Sequence, residues 1–333
     1  MRSSHSFLIA IVGPTGSGKS ALALRLARSI PSEIVSCDAL QVYRGADIGT
    51  GKLSFSGRRG IPHHLLDVAC PSQEFSAADY IRLAAPIIED IDGRGKLPLL
   101  VGGTGLYLRA LLRGLFEGPG RDATLRHRIS DIAGRRGLRF VHRMLARLDA
   151  ASAERIHPND LIRTVRALEV CLLAKRPMSD LMKDRRSPLA GYSRLLFGLA
   201  PTRAELARRV EVRLRQMFDS GLIGEVQRLL SNYGPQAPVL KAIGYRQVAQ
   251  HLAGEMDVEQ AKQSTLRATL QYAKRQMTWF RREEGVAWFP SSGDDPKVGE
   301  AIESYLGARP APRSPMEFFQ LLKEEGVHAK TAS

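Results

Sequence analysis

The chain has 333 residues, 44% hydrophobic and 25% charged, enough apolar material for one large core or two modest ones. No apolar run approaches the roughly 18–20 residues of a membrane span, so a membrane-spanning role is excluded. With 49 Lys+Arg against 34 Asp+Glu the formal net charge is +15, a balance that points to a polyanionic partner. The excess is uneven: residues 121–186 hold 16 Lys+Arg against 8 Asp+Glu. Cys37, Cys70 and Cys171 lie apart without paired spacing. That excludes a disulfide framework and a zinc site, and it places the protein in the cytoplasm.

The first residues superficially resemble a signal peptide, but the apolar run at 7–12 (FLIAIV) leads straight into GPTGSGKS. It reads as a buried parallel strand, followed by a phosphate-binding loop and a helix with Leu22 and Leu26 on one face. Residues 33–36 read as a second strand ending at Asp38. Residues 97–101 (LPLLV) read as a third, followed by GGTGLY and a helix. Strands alternating with helices imply a parallel α/β sheet. From 121 to 186 the signals are helical. In LIRTVRALEVCLL, Val165, Leu168 and Leu172 fall within about 40° of Leu161 on a helical wheel, with Arg163 and Arg166 opposite, and Asn159 or Asp160 placed to cap. Strand character returns at 194–199. Thr202 and Glu205 have capping-box spacing, opening a helix to about Phe218 that Gly221 is placed to end. A helix over 263–282 and a strand over 286–289 (VAWF) follow. The expected fold is a P-loop NTPase-like parallel α/β core, residues 1–120 and 190–306, interrupted by a helical insertion at 121–189. Residues 307–333 read as a linker and tail with one short amphipathic helix.

Gly13, Gly18, Lys19 and Ser20 match G-x-x-x-x-G-K-[ST] between a strand and a helix. The loop Gly13, Pro14, Thr15, Gly16, Ser17, Gly18, Lys19 and Ser20 turns backbone N–H groups toward a diphosphate, and the helix N-terminus adds its positive end. Lys19 supplies a point charge, and the Ser20 hydroxyl can join a Mg²⁺ shell. A strand ending in an Asp would complete an ATPase. Here LPLLV runs into Gly102-Gly103-Thr104, and the nearer acid is Asp38. The pattern argues against ATP hydrolysis or phosphoryl transfer.

DALQVYRGADIGTGK (38–52), PHHLLD (62–67), GGTGLY (102–107), HPNDLIRTVRALEV (157–170), KAIGYR (241–246) and YAKRQMTWFR (272–281) follow the loop in one order. Together with it they resemble the tRNA dimethylallyltransferase (tRNA isopentenyltransferase) family, over roughly residues 7–290. The absence of zinc-ligand spacing near the C-terminus points to the bacterial type. The resemblance implies transfer of a dimethylallyl group from dimethylallyl diphosphate to N6 of the adenosine immediately 3′ of the anticodon. It also implies Mg²⁺, and an insertion that grips the anticodon stem-loop of tRNA. A monomer is expected.

By the same resemblance Asp38 is the base at N6, Thr104 stands beside the reaction centre and Arg213 holds the diphosphate, with Arg209 and Arg215 as competitors for that last role. The family's RNA contacts map to Asp38, Ala39, Leu40 and Gln41, to Thr104 and Arg126, and to Ile162, Arg163, Thr164, Val165 and Arg166. They also map to Lys241, Ala242, Ile243, Gly244, Tyr245 and Arg246. Gly244-Tyr245 would give a tight turn and a stacking face for an RNA base. His63 and His64 lack metal-ligand spacing and read as structural; Trp279 and Phe280 read as helix core. Ala39 stands where the family usually has Ser, and the DIGT segment is altered at Gly45-Ala46 and Gly51-Lys52. The alternatives are an adenylate isopentenyltransferase acting on free AMP or ATP, a P-loop kinase, and a non-catalytic RNA-binding module. The long basic insertion argues against the first, the missing strand-end Asp against the second, and Asp38 with Thr104 against the third.

Overall fold

The computed structural model describes residues 6–307. In chain order it carries β1 (Ser6–Val12), α1 (Lys19–Ser29), β2 (Ser32–Ser36), β3 (His63–His64), α2 (Ala77–Gly93), β4 (Leu97–Val101) and α3 (Gly105–Arg113). Next come α4 (Ala123–Arg136), α5 (Leu138–Leu148), α6 (Ala150–Arg155), α7 (Leu161–Ala174) and α8 (Met178–Leu181). Then follow β5 (Tyr192–Leu199), α9 (Arg203–Asp219), α10 (Leu222–Tyr233), α11 (Tyr245–Leu252), α12 (Val258–Phe280), β6 (Val286–Phe289) and α13 (Pro296–Gly307). The expected linker and tail beyond residue 307 lie outside the described residues.

The chain divides into two units: residues up to Arg109 with those from Gly191 on, and Ala110–Ala190. The first unit is built on a six-stranded sheet of order β3-β2-β4-β1-β5-β6. Every pairing is parallel, as the strand–helix alternation predicts. β1 is central because its apolar run suits burial on both faces: Leu8, Ile9 and Ile11 are wholly buried. Ile11 pairs with Val101 of β4 and with Phe197 of β5. Around the sheet, Leu22, Ala23 and Leu26 of α1 pack with Phe197, Phe289 and the α13 residues Val298, Ile302 and Tyr305. Burying each of the Leu, Val, Ile and Phe side chains contributes about 1.5–3 kcal/mol. A second core of the same unit joins Val42, Tyr43 and Ala46 to Leu222, Val226 and Leu229 of α10 and Val248 of α11.

β3, α2, α10, α11 and α13 add to the elements expected. β3 is only two residues long, too short for a periodic signal. Its histidines serve the scaffold: His64 Nε2 meets Glu33 at 2.8 Å and His63 Nδ1 the Ile61 carbonyl at 2.8 Å. α2 opens with a Ser76–Asp79 capping box, each side chain bonded to the other's backbone N–H. The capping-box spacing at Thr202 gives one half of that motif, Thr202 Oγ1 accepting the Glu205 N–H at 3.2 Å. Gly221, at φ 95°, ends α9 and starts α10.

The second unit is helical throughout its described elements. Ile129, Ala133, Val141, Leu145, Val165, Leu168 and Cys171 form its core. Asp160 caps α7 by accepting the Arg163 N–H at 3.1 Å. The wheel reading of α7 needs correction, because Leu172 is 44% exposed. The buried arc is wider and takes in Thr164, Ala167, Glu169, Val170 and Cys171. Burial of a carboxylate inside that arc changes the meaning of the arginines around it.

Candidate active site

The three strands that matter, β1, β2 and β4, end side by side, with Ser36 level with Val101 and Val101 level with Ile11. Segments following parallel strands meet at that carboxyl edge, where open α/β sheets bind ligands. A cleft of about 880 Å³ opens there, lined among others by Thr15, Lys19, Ser20, Asp38, Thr104 and Arg213.

The phosphate loop follows β1. Gly18 takes φ 85°, and a Cβ on it would stand 2.7 Å from the Gly293 backbone nitrogen. Only glycine allows that turn and that approach. Gly13, Pro14 and Ser17 are buried beneath the loop, while Thr15, Gly16, Gly18, Lys19 and Ser20 line the cleft. The Lys19 ammonium donates to the carbonyls of Gly13 (3.0 Å) and Pro14 (2.7 Å). Burial pushes its pKa down to about 8; Asp38 works against the shift and Arg213 adds to it. The cleft is therefore built to receive an anion.

Asp38 follows β2. Its Oδ1 accepts the Leu40 N–H at 2.9 Å and the Gln41 N–H at 3.4 Å, a turn that fixes the carboxylate at the cleft wall. Thr104 follows β4. Its hydroxyl oxygen accepts the Ala39 N–H at 2.9 Å, and its own N–H donates to the Cys37 carbonyl at 3.2 Å. A Cβ on Gly102 would lie 2.0 Å from that carbonyl, so the two loops touch only because residue 102 is glycine. β4 itself ends at Val101 without an acid.

Arg213 reaches the cleft from α9, whose Val210 and Leu214 face inward. It donates to Thr15 Oγ1 at 3.2 Å and to the Thr50 carbonyl at 2.9 Å. Burial lowers its pKa and the Asp38 charge opposes that shift. Of its competitors, Arg209 also lines the cleft but holds the Gly16 carbonyl and Asp294, and Arg215 pairs with Glu211 on the exposed face. The loop that Arg213 reaches is fixed by Glu225, 2% exposed, which accepts the N–H groups of Asp47, Ile48 and Gly49.

Ala39, Leu40, Gln41, Lys241, Ala242, Ile243 and Gly244 also line the cleft. Tyr245 does not: it is wholly buried and donates its hydroxyl to Glu225 at 2.7 Å. The expected stacking face is corrected to a core anchor, since the ring has no surface for a base. Arg246 is exposed and outside the cleft lining. Glu225, Tyr272, Arg275 and Gln276 were not singled out as site residues from the sequence, although the last three lie in the YAKRQMTWFR motif. Tyr272, whose pKa burial and Asp38 raise to about 12, lines the cleft with Arg275 and Gln276 from one face of α12. Their spacing of three and four within YAKRQMTWFR was the available signal. Phe280 is wholly buried as expected; Trp279 lies against Gly105 with Arg109 over its ring at 4.3 Å.

In the helical unit the expected RNA-facing residues separate. Ile162 is 83% exposed, and the Arg163 side chain is 64% exposed beside Asp160. Thr164 and Val165 are buried, on the side of α7 that packs into the unit. Arg126 and Arg166 are partly buried and share one partner. Arg126 forks onto Glu169 at 2.9 and 3.0 Å, and Arg166 reaches the same carboxylate and the Pro119 carbonyl. Burial pushes Glu169 up, but the two arginines and the Asp122 N–H outweigh it and hold the carboxyl at about 2. A fully desolvated carboxylate needs those partners. A hollow of about 470 Å³ in this unit is lined by Arg113, Arg155, Lys183 and Arg185 around a single acid, Asp180.

Among the described residues no cluster of His, Cys, Asp and Glu is placed to hold a metal ion. No described helix is long and apolar enough to cross a membrane.

A glycine-rich loop on a parallel sheet, facing a carboxylate, a threonine and a half-buried arginine, defines a protein of the P-loop α/β class. The family follows from comparison. A family model described as IPP transferase matches residues 41–283, and one described as isopentenyl transferase matches residues 7–66. The chain belongs to the IPP transferase family. It is 49% identical to a tRNA dimethylallyltransferase of Solibacter usitatus (strain Ellin6076) over 305 residues, 90% of this chain and 99% of that one. It is 46% identical to one of Koribacter versatilis (strain Ellin345), over 90% and 98% of the two chains. Its fold is similar to the crystal structure of a tRNA isopentenylpyrophosphate transferase from Bacillus halodurans, with TM-score 0.68 and 36% identity. That match covers 96% of this chain and 99% of that one. It is also similar to a eukaryotic dimethylallyltransferase crystallised while acting on tRNA, with TM-score 0.76 and 25% identity. Here 96% of this chain and 84% of that one are covered.

Proposed function

We infer that the protein transfers a dimethylallyl group from dimethylallyl diphosphate to N6 of the adenosine immediately 3′ of the anticodon in tRNA, releasing diphosphate. The observation that carries this reading is the convergence of the phosphate loop, Arg213, Asp38 and Thr104 on one cleft, while β4 ends without an acid. Family membership supports the same reaction and disfavours free AMP as the acceptor.

An exocyclic adenine amine is a weak nucleophile, because its lone pair is delocalised into the ring. An allylic carbon becomes electrophilic when the charge on its leaving group is stabilised. In this reading the loop N–H groups, Lys19 and Arg213 hold the diphosphate and take up the charge that develops as the C–O bond breaks. Arg213 suits this task because its planar fork can hold two phosphate oxygens at once. Asp38 accepts the N6 proton as the C–N bond forms. The Thr104 hydroxyl accepts from Ala39, so its own hydrogen is left to donate to the leaving oxygen or the substrate. Leu53, Leu66, Met217 and Leu222 give the cleft an apolar wall for the five-carbon group.

Mg²⁺ fits the donor set as an oxygen-bound ion. Ser20 is exposed at the cleft, and its hydroxyl would hold the ion together with diphosphate oxygens and water. Such an ion supplies further neutralisation of the leaving diphosphate. For the RNA, Ile162, Arg163, Lys241 and Arg246 are the exposed members of the expected contact set. The basic hollow at Arg155, Lys183 and Arg185 suits backbone phosphates.

The test is acceptor choice. Protein, Mg²⁺ and prenyl-labelled dimethylallyl diphosphate are incubated with unmodified tRNA and, separately, with AMP. Label is expected in tRNA. Label in AMP alone would overturn the tRNA reading.

A further inference from the structure

Gln276 lies on α12, 6% exposed and 261 residues away from the loop residue it holds. Its Oε1 accepts the Thr15 N–H at 2.8 Å, and its Nε2 donates to the Gly103 carbonyl at 2.9 Å. These partners fix the amide's orientation, because a flipped amide would set N–H against N–H and oxygen against oxygen. The contact is close: a Cβ on Gly103 would stand 2.3 Å from Nε2.

The two partners belong to opposite sides of the reaction. Thr15 sits in the phosphate loop, and its hydroxyl oxygen accepts from Arg213. Gly103 precedes Thr104, whose hydroxyl holds Ala39 beside Asp38. A continuous chain of hydrogen bonds therefore runs from Arg213 through Thr15, Gln276 and the Gly103–Thr104 turn to Ala39. Gln276 is the one side chain in it that bonds the loop after β1 to the loop after β4.

We propose that Gln276 is a positioning residue that sets the distance between the diphosphate cradle and the Asp38–Thr104 side, and through it the approach of amine to allylic carbon. This rests on the prenyl-transfer reading above. The position needs one donor and one acceptor in fixed order, not merely bulk. Leucine keeps most of the volume and leaves both backbone groups unpaired. A protonated carboxyl reproduces the amide's pattern, whereas an ionised one turns a second acceptor toward the Gly103 carbonyl.

The experiment measures kcat, both KM values and thermal stability for wild type, Gln276→Leu and Gln276→Glu across pH. Gln276→Leu is expected to lower kcat by about 10–10²-fold, the scale of a misplacement near 1 Å, with each KM changed by less than about threefold. For Gln276→Glu the kcat ratio to wild type should rise as pH falls, following a single protonation. A scaffold role alone would lower stability without that pH dependence. If wild type prenylates tRNA while Gln276→Leu keeps its kcat, or the Gln276→Glu ratio is flat with pH, the positioning role is overturned and the reaction stands. A wild type that transfers no prenyl group overturns both.

Discussion

Arg213 crosses from α9 to donate to the Thr15 hydroxyl of the phosphate loop at 3.2 Å, and it is half-buried where it does so. A half-buried guanidinium that spends its hydrogen bonds on one hydroxyl and one carbonyl is free to exchange them for an anion. Arg213→Ala is expected to lower kcat/KM for dimethylallyl diphosphate by roughly 10²–10³-fold, the range for removing one donor to a developing charge. Arg215→Ala, on the exposed face, should stay within about twofold. Steady-state kinetics on the two variants checks this.

Lys19 gives a pH dependence with a definite sign. Its free-state pKa is lowered to about 8, and a bound diphosphate raises it again. Binding therefore takes up a proton above pH 8, and affinity falls as pH rises through that value, by up to about tenfold per unit. Titration of dimethylallyl diphosphate between pH 7 and 10 measures it, and Lys19→Met should flatten the profile while weakening binding throughout.

Asp38 both accepts turn hydrogen bonds and faces the cleft, so two substitutions separate its roles. Asp38→Asn retains an oxygen for the Leu40 and Gln41 N–H groups but cannot act as a base. A kcat fall of roughly 10²–10⁴-fold with little change in diphosphate affinity is expected for Asp38→Asn. Asp38→Ala should show the same fall plus a looser loop. Single-turnover rates and direct binding of the diphosphate distinguish the two.

Arg126 and Arg163 should behave in opposite ways. Arg126→Ala removes a fork from a buried carboxylate and is expected to destabilise the helical unit by about 3 kcal/mol. Because Glu169 is held near 2, that contribution is full above the unfolded carboxyl value near 4.5 and is lost as pH falls toward 2. Arg163→Ala should leave stability unchanged and make the salt dependence of tRNA affinity shallower. The expected change is about 0.7–0.9 log units per tenfold salt, one phosphate contact. Thermal melts and a salt series measure both.

The parts of this site that were legible in the sequence are those built from neighbours. Gly13 to Ser20 is a local motif between a strand and a helix, and its geometry follows from glycine positions and helix polarity. Asp38 and Thr104 were legible as strand-end residues once the motifs stood in order. What was hidden depends on distant partners. Gln276 and Glu225 read as ordinary polar helix residues, and only folding buries them against backbone N–H groups. Tyr245 beside Gly244 reads as an exposed turn until Glu225 takes its hydroxyl into the core. Arg166 reads, with Arg163, as a basic face because Glu169, in an apolar stretch, gives no sign of collecting it together with Arg126. β3 is two residues long and has no period to read.

The central claim is that the loop holds a leaving group. Dimethylallyl diphosphate carrying a carbon label in the prenyl group and a phosphorus label in the diphosphate tests it in one reaction with tRNA. The carbon label should appear in tRNA and the phosphorus label in free diphosphate, one for one. Phosphorus label in the acceptor, or orthophosphate released without carbon transfer, would contradict the account.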